Sequence, residues 1–301
     1  MIAALLALVG ALVYGAADFL GGLAARRLRP VAVTATAALS GLLLLALAYP
    51  VLGGAWSATD VLWGALSGVT GALAIGLLYA CLAIGPMSIL SPVTAVVSAI
   101  APMTWGLIVG GERLTVLGYA GLALALVAIV LVALLPGEAI ARPSARGLLM
   151  AVGSGLSIGA FLILIDQTSE ASGIVPLLLN RGVNAVITGA IVVGILVVAR
   201  RRGVRATAAL GTAQGAAGTQ TAAGRAWRIA LVCGLVDAAA NVLLLLSLRA
   251  DGDLAVVSAL TALYPAGTVL LAAIVLGERI ARIQWIGLLL ALVAGALLAI
   301  G

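Results

Sequence analysis

The chain has no histidine among its 301 residues, and all sixteen of its basic residues are arginine, so lysine is absent too. Without imidazole, histidine metal ligation and histidine proton relays are excluded. The two cysteines, Cys81 and Cys233, both lie inside apolar runs. They read as small buried hydrophobes, not as a disulfide or a metal pair. Charge is scarce as well: 9% of residues are charged, against about 25% in a soluble domain. What is present instead is apolar. The chain is 64% hydrophobic with a mean hydropathy of +1.30. A water-soluble fold of this size cannot hide that much apolar surface, so the sequence specifies a polytopic membrane protein. The net charge of +6 falls mostly in loops, where positive cytoplasmic segments account for it better than nucleic-acid binding. No nucleotide-binding loop occurs, and no cofactor or metal is expected.

A hydrocarbon core of roughly 30 Å needs about 20 helical residues to cross. Ten runs qualify: 2–23, 31–52, 61–84, 88–109, 115–135, 146–165, 175–199, 228–249, 254–276 and 282–300. The first lacks the positive segment of a signal peptide and is followed by nine more. The runs are too long for strands and lack period-two alternation. The one sizeable loop, Arg200–Trp227, opens with three arginines and continues as Ala/Gly/Thr/Gln low complexity; disorder is expected there.

The chain is written twice. Ile108–Leu134 and Ile274–Ile300 align at an offset of 166, with fourteen of 27 positions identical. The polar turns Gly111-Glu112-Arg113 and Gly277-Glu278-Arg279 recur at that offset between long apolar runs. The expected units are 1–137 and 138–301, with 200–227 a flexible loop of the second. Five spans per unit means that the two insert in opposite senses. That is the inverted-repeat plan of secondary transporters, which bind substrate at the repeat interface near the midplane. Loops after odd-numbered spans hold thirteen arginines; the opposite side holds only Arg113, Arg181 and Arg249. The bias puts both termini outside the cytoplasm.

Two five-helix halves, each with a Gly-Glu-Arg turn before its last helix, resemble the drug/metabolite transporter superfamily, in particular its EamA family. Tyr14-Gly15-Ala16-Ala17-Asp18-Phe19-Leu20-Gly21-Gly22 is similar to the first-helix pattern of that family. The proline expected about thirteen residues before the Glu is Pro265 in the second half; the first half has Ala99 there and Pro102 further on. The resemblance implies export or exchange of small metabolites, amino acids or drugs without ATP, from a multi-pass position in a cell membrane such as the bacterial inner membrane.

A charge at membrane depth costs at least about 2.5–3.5 kcal/mol, so it needs a partner or a wet cavity. Asp237 sits mid-span with Asn241 at i+4 on the same face; their counterparts at the repeat offset are Gly71 and Ile75. Asp18 follows Tyr14 by one turn, and Arg181 lies beside Asn180 and ahead of Asn184. Read functionally, Asp237, Asn241, Asp18, Tyr14, Arg181, Asn184, Tyr79 and Tyr264 line a substrate or proton site for a small zwitterion or cation, with Asp237 alternating between a proton and a cationic or amine-bearing substrate and Arg181 holding a carboxylate or balancing Asp237. Read structurally, Arg181 and Asp237 form an ion pair, Asp18 and Arg181 snorkel, and the asparagines are interhelical glue. Glu112 and Glu278 read as turn-fixing partners of the adjacent arginines. Gly64/Gly68, Gly106/Gly110 and Gly155/Gly159 read as close-packing pairs. Pro86, Pro92, Pro102 and Pro265 are expected to interrupt the fourth and ninth spans. The fold expected is an all-α, ten-helix inverted repeat with a cavity bounded by spans 1, 3, 4, 6, 7, 8 and 9. The function expected is alternating-access transport of a small solute, with protons and the lipid bilayer as partners and a monomer as the working unit. An uncoupled facilitator or channel is the alternative. A lipid-modifying membrane enzyme would need clustered catalytic groups, and the acids are scattered. A scaffold with no substrate leaves the Asp237–Asn241 pair without a role.

Overall fold

The computed structural model describes residues 1–84, 87–133, 144–211, 220–250, 252–277 and 279–300, side chains excepted at 79–84, 87–89, 91, 92 and 220–223. It is all-α, with no strand among the described residues. The helices are α1 Ile2–Ala25, α2 Pro30–Leu52, α3 Ala58–Ile84, α4 Met87–Ile108, α5 Val116–Ala133, α6 Ala145–Asp166, α7 Val175–Arg201, α8 Gln220–Arg249, α9 Leu254–Thr261, α10 Tyr264–Leu276 and α11 Arg282–Ile300. Nine described stretches are long and apolar enough to cross a membrane, α9 and α10 together making one of them. With α4, whose apolar stretch Val93–Ile108 is shorter, the spans number ten. The protein is an all-α, multi-pass membrane protein.

Side-chain size is distributed as a bilayer demands. Leu5, Leu12, Leu43, Leu47, Leu289 and Leu292 point outward, whereas the interior is dominated by alanine: Ala7, Ala99, Ala125, Ala128, Ala255 and Ala259 are fully buried. Lipid tails are as apolar as leucine, so helices associate through close van der Waals contact, which small residues permit. Gly68 on α3 shows how close: a Cβ there would lie 2.6 Å from the Asn180 carbonyl oxygen of α7. Gly234, its counterpart at the 166-residue offset, meets the backbone of α2 at Ala37 in the same way. The larger interfaces pair off likewise when each span is exchanged with the one five later. Contact of α1 with α8 answers α3 with α6; α2 with α8 answers α3 with α7; and α4 with α6 answers α1 with α9 and α10. The unit boundary at 137/138 lies outside the described residues.

Several expectations are corrected. Gly64 and Gly68 pack against α7, and Gly155 and Gly159 against α4, but Gly106 and Gly110 do not pack between helices. Gly106 instead leaves room for the Glu112 carboxylate. That carboxylate does not fix its own turn with Arg113. It accepts hydrogen bonds from the backbone N–H groups of Leu254 (2.8 Å) and Ala255 (2.9 Å), capping α9. Every residue of α9 is buried, so its first N–H groups cannot reach water, and a carboxylate at the positive end of the helix satisfies two of them. Burial raises the Glu112 pKa above the ordinary carboxylate value, against the lowering by these two hydrogen bonds. Glu278 lies outside the described residues.

The fourth span is not broken at Pro102: α4 runs on to Ile108, and the proline ring fits over Gly159 of α6. Pro86, and the side chain of Pro92, lie outside what is described. The ninth span is broken. The Ala262 N–H still reaches the Ser258 carbonyl, but the Leu263 N–H turns to the Leu260 carbonyl, and Pro265 sits in the first turn of α10, where its missing N–H costs nothing. The described part of the Arg200–Trp227 segment, expected to be a flexible loop, is partly helical. It holds a one-turn helix at Ala206–Leu210, Arg29 donates its N–H to the Leu210 carbonyl (2.7 Å), and α8 begins at Gln220; the remainder, 212–219, is outside the described residues.

On the face bearing the α2–α3 and α6–α7 connections, Asp60 accepts from the Ser169 N–H (2.7 Å) and hydroxyl (2.8 Å). Arg249, at the end of α8, donates to the Gly173 carbonyl (2.8 Å) and the Ser172 hydroxyl (2.9 Å). These charged side chains bind the loops at one end of the bundle into a single polar layer.

Candidate functional site

A cavity of about 200 Å³ lies within the bundle. Its walls come from spans 1, 3, 4, 6, 7, 8 and 9. Much of its polar lining comes from three helices: Tyr14 and Asp18 from α1, Asn180, Arg181 and Asn184 from α7, and Asp237 and Asn241 from α8. Helical spacing explains the grouping, since each i, i+4 pair shares a face. The same cavity has apolar lining residues, Ile75 and Leu78 from α3 and Ile158, Phe161 and Leu162 from α6. Gly71 and Ile75, the offset counterparts of Asp237 and Asn241, line the same cavity. The polar pair of one half therefore has a glycine and a hydrocarbon as its equivalents.

The electrostatics of the polar lining are uneven. Arg181 Nη2 and Asp237 Oδ2 form an ion pair, their side chains only 11% and 21% exposed. Asn241 donates from Nδ2 to the Asp237 carbonyl at 2.7 Å, which fixes the direction of the amide and turns Oδ1 away from that bond. Asn180 donates to Ser67 on α3 (3.0 Å) and so acts as glue between helices. Asp18 has no hydrogen-bond or ion-pair partner among the described residues. Its side chain is exposed and lines the cavity.

Of the eight residues named from the sequence, seven line this cavity: Tyr14, Asp18, Arg181, Asn184, Asp237, Asn241 and Tyr264. The side chain of Tyr79 is outside the description. Sequence reasoning missed Ser98, Phe161 and Thr261, which also line it. Ser98 and Thr261 were visible as hydroxyls inside apolar runs, but a hydroxyl can satisfy itself on its own helix, as Ser98 does on the Ala95 carbonyl (2.8 Å). Phe161 carries no signal that separates cavity from core. The break between α9 and α10 puts Thr261, Ala262 and Tyr264 at the cavity. No group of three or more acidic or cysteine side chains able to hold a metal occurs among the described residues.

Over residues 145–300 the sequence matches the EamA-like transporter family. The chain belongs to that family. A solved structure described only as "Crystal structure of protein" is similar to this EamA-like chain at a TM-score of 0.66 and 13% identity, over 99% of this chain and 98% of that one. At that identity the likeness speaks for the fold alone. No curated protein matches the sequence. EamA-like proteins are membrane transporters of small solutes, and the family is not one of enzymes.

Proposed function

We propose that this EamA-like protein is a secondary-active carrier that moves a small metabolite, amino acid or drug-like solute by alternating access, as an exporter or exchanger. The observation that carries the proposal is one cavity lined by both charged and apolar side chains, walled by spans from both halves and by the break in the ninth. A broken helix beside a binding site lets backbone groups and side chains turn toward solute, and the break is a place where two rigid pieces can swing. Asp237 is the coupling group: protonation releases Arg181, and deprotonation restores the pair. The arginine bias of the loops supports both termini lying outside the cytoplasm, and a cavity walled by both halves of one chain supports a monomer in a cell membrane such as the bacterial inner membrane.

The test is proton flux in proteoliposomes loaded with a pH-sensitive dye, challenged with a panel of amino acids and amines. The wild type exchanges protons for at least one solute, and Asp237→Asn abolishes proton movement while solute still equilibrates. Unchanged proton flux in the variant overturns coupling through Asp237. An uncoupled facilitator is the second reading, favoured by the Arg181–Asp237 pair itself, since a carboxylate already neutralised by guanidinium does not need a proton. It predicts equilibration without concentration in both proteins.

A further inference from the structure

Among the described residues, four buried side-chain polar atoms lack any hydrogen-bond partner: Tyr14 Oη, Asn184 Oδ1, Asn241 Oδ1 and Thr261 Oγ1. All four belong to residues that line the one cavity. Leaving a buried polar atom unpaired costs about 1–3 kcal/mol, and all four sit in side chains around a single cavity, where a small rotation brings each within reach of a bound group. Two of the four are amide oxygens, which can only accept. The Asn241 amide cannot be reversed without losing its bond to the Asp237 carbonyl. The two hydroxyls accept as readily as they donate.

Charge narrows the ligand further. Three charged side chains line the cavity: Asp18, Asp237 and Arg181. Arg181 and Asp237 cancel in their ion pair, which leaves the carboxylate of Asp18 unbalanced. We infer that the site is specific for a small organic monocation, a primary ammonium on an apolar body, with Asp18 as the specificity-determining residue. The ammonium group brings a positive charge and three N–H donors to a cavity lined by the Asp18 carboxylate and by two asparagines whose amide oxygens lack partners. The apolar body lies along Phe161, Leu162 and Ile75. A zwitterion is disfavoured, because its carboxylate needs a cation and the one described cation at the cavity is already engaged. An anion would face the uncompensated Asp18. The inference rests on the carrier reading for the location of the site, and it assigns the solute class that reading leaves open.

The experiment uses purified full-length protein in detergent and three probes that share one apolar body: 2-phenylethylammonium, L-phenylalanine and 3-phenylpropionate. Binding is read by thermal shift and by calorimetry. The amine is expected to raise the melting temperature by a few degrees at millimolar concentration and to bind at least about tenfold more tightly than the other two. Asp18→Asn is expected to weaken the amine at least tenfold, and Asp18→Glu to restore most of that loss. Asn241→Ala, which leaves Asp18 in place, is expected to weaken it less. Equal or tighter binding of the amino acid or the acid overturns the inference, as does undiminished amine affinity in a folded Asp18→Asn protein or binding of none of the three. If Asp18→Asn does not fold, Asp18→Ser takes its place with the same expectation, and the comparison of probes on wild type still decides the solute class. Failure of the carrier reading looks different: the amine binds, but drives no flux in proteoliposomes.

Discussion

Arg181 of α7 and Asp237 of α8 form an ion pair whose open side is the cavity. Neither is fully sealed, so the pair stands between the buried case, where removing one partner costs about 3–5 kcal/mol, and the surface case, worth about 0–1 kcal/mol. Arg181→Ala or Asp237→Ala alone is therefore expected to destabilise the protein by about 1–3 kcal/mol, with the double variant less unstable than the sum of the two. A double-mutant cycle on unfolding free energy measures this; strict additivity would show that the pair does not couple.

Glu112 caps a helix from 142 residues away. Glu112→Ala leaves two N–H groups of a buried helix without partners and should cost about 1–3 kcal/mol for a group so placed. Hydrogen exchange at Leu254 and Ala255 should speed up selectively. The pH dependence has a defined sign. Burial raises the folded-state pKa of Glu112 above its unfolded value, so in that window the folded state holds more proton than the unfolded one. Its contribution is full below the unfolded pKa and falls as pH rises through the folded one. Glu112→Gln should flatten that slope in a stability–pH curve.

Gly15 sits where α1 crosses α10. A Cβ there would lie 2.7 Å from Gly267 Cα and 2.5 Å from the Tyr264 carbonyl oxygen. Gly15→Ala is expected to cost about 1–3 kcal/mol, since both neighbours are backbone. Gly189 and Gly194 on α7 face open space, and alanine at either should be neutral or stabilising by up to about 1 kcal/mol. Melting temperatures of the three variants separate close packing from helix propensity; equal effects would contradict the assignment.

The spans were legible because a bilayer enforces one rule: every backbone polar group is satisfied within its own helix, so hydropathy alone locates the helices. Asp237, Asn241, Asp18 and Arg181 were legible as candidates for the same reason, since charge at depth needs an explanation. Partners were not legible. Nothing near Glu112 indicates that its acceptors serve Leu254 and Ala255, because the sequence shows only the adjacent Arg113. Pro102 and Pro265 look alike in the chain, yet one is absorbed by the groove at Gly159 and the other stands at a real break. What distinguishes them is the helix opposite, which periodicity does not reveal. The Ala206–Leu210 turn was hidden by low complexity, since its order comes from the backbone contact with Arg29 and not from its own composition.

Alternating access is tested most directly by single-cysteine labelling at the break in the ninth span. In a background with Cys81→Ala and Cys233→Ala, Thr261→Cys is exposed to a membrane-impermeant maleimide in vesicles of each orientation. The account predicts labelling from both faces, with a cation that occupies the cavity protecting the thiol from either side. Labelling from one face only, or from neither, contradicts it.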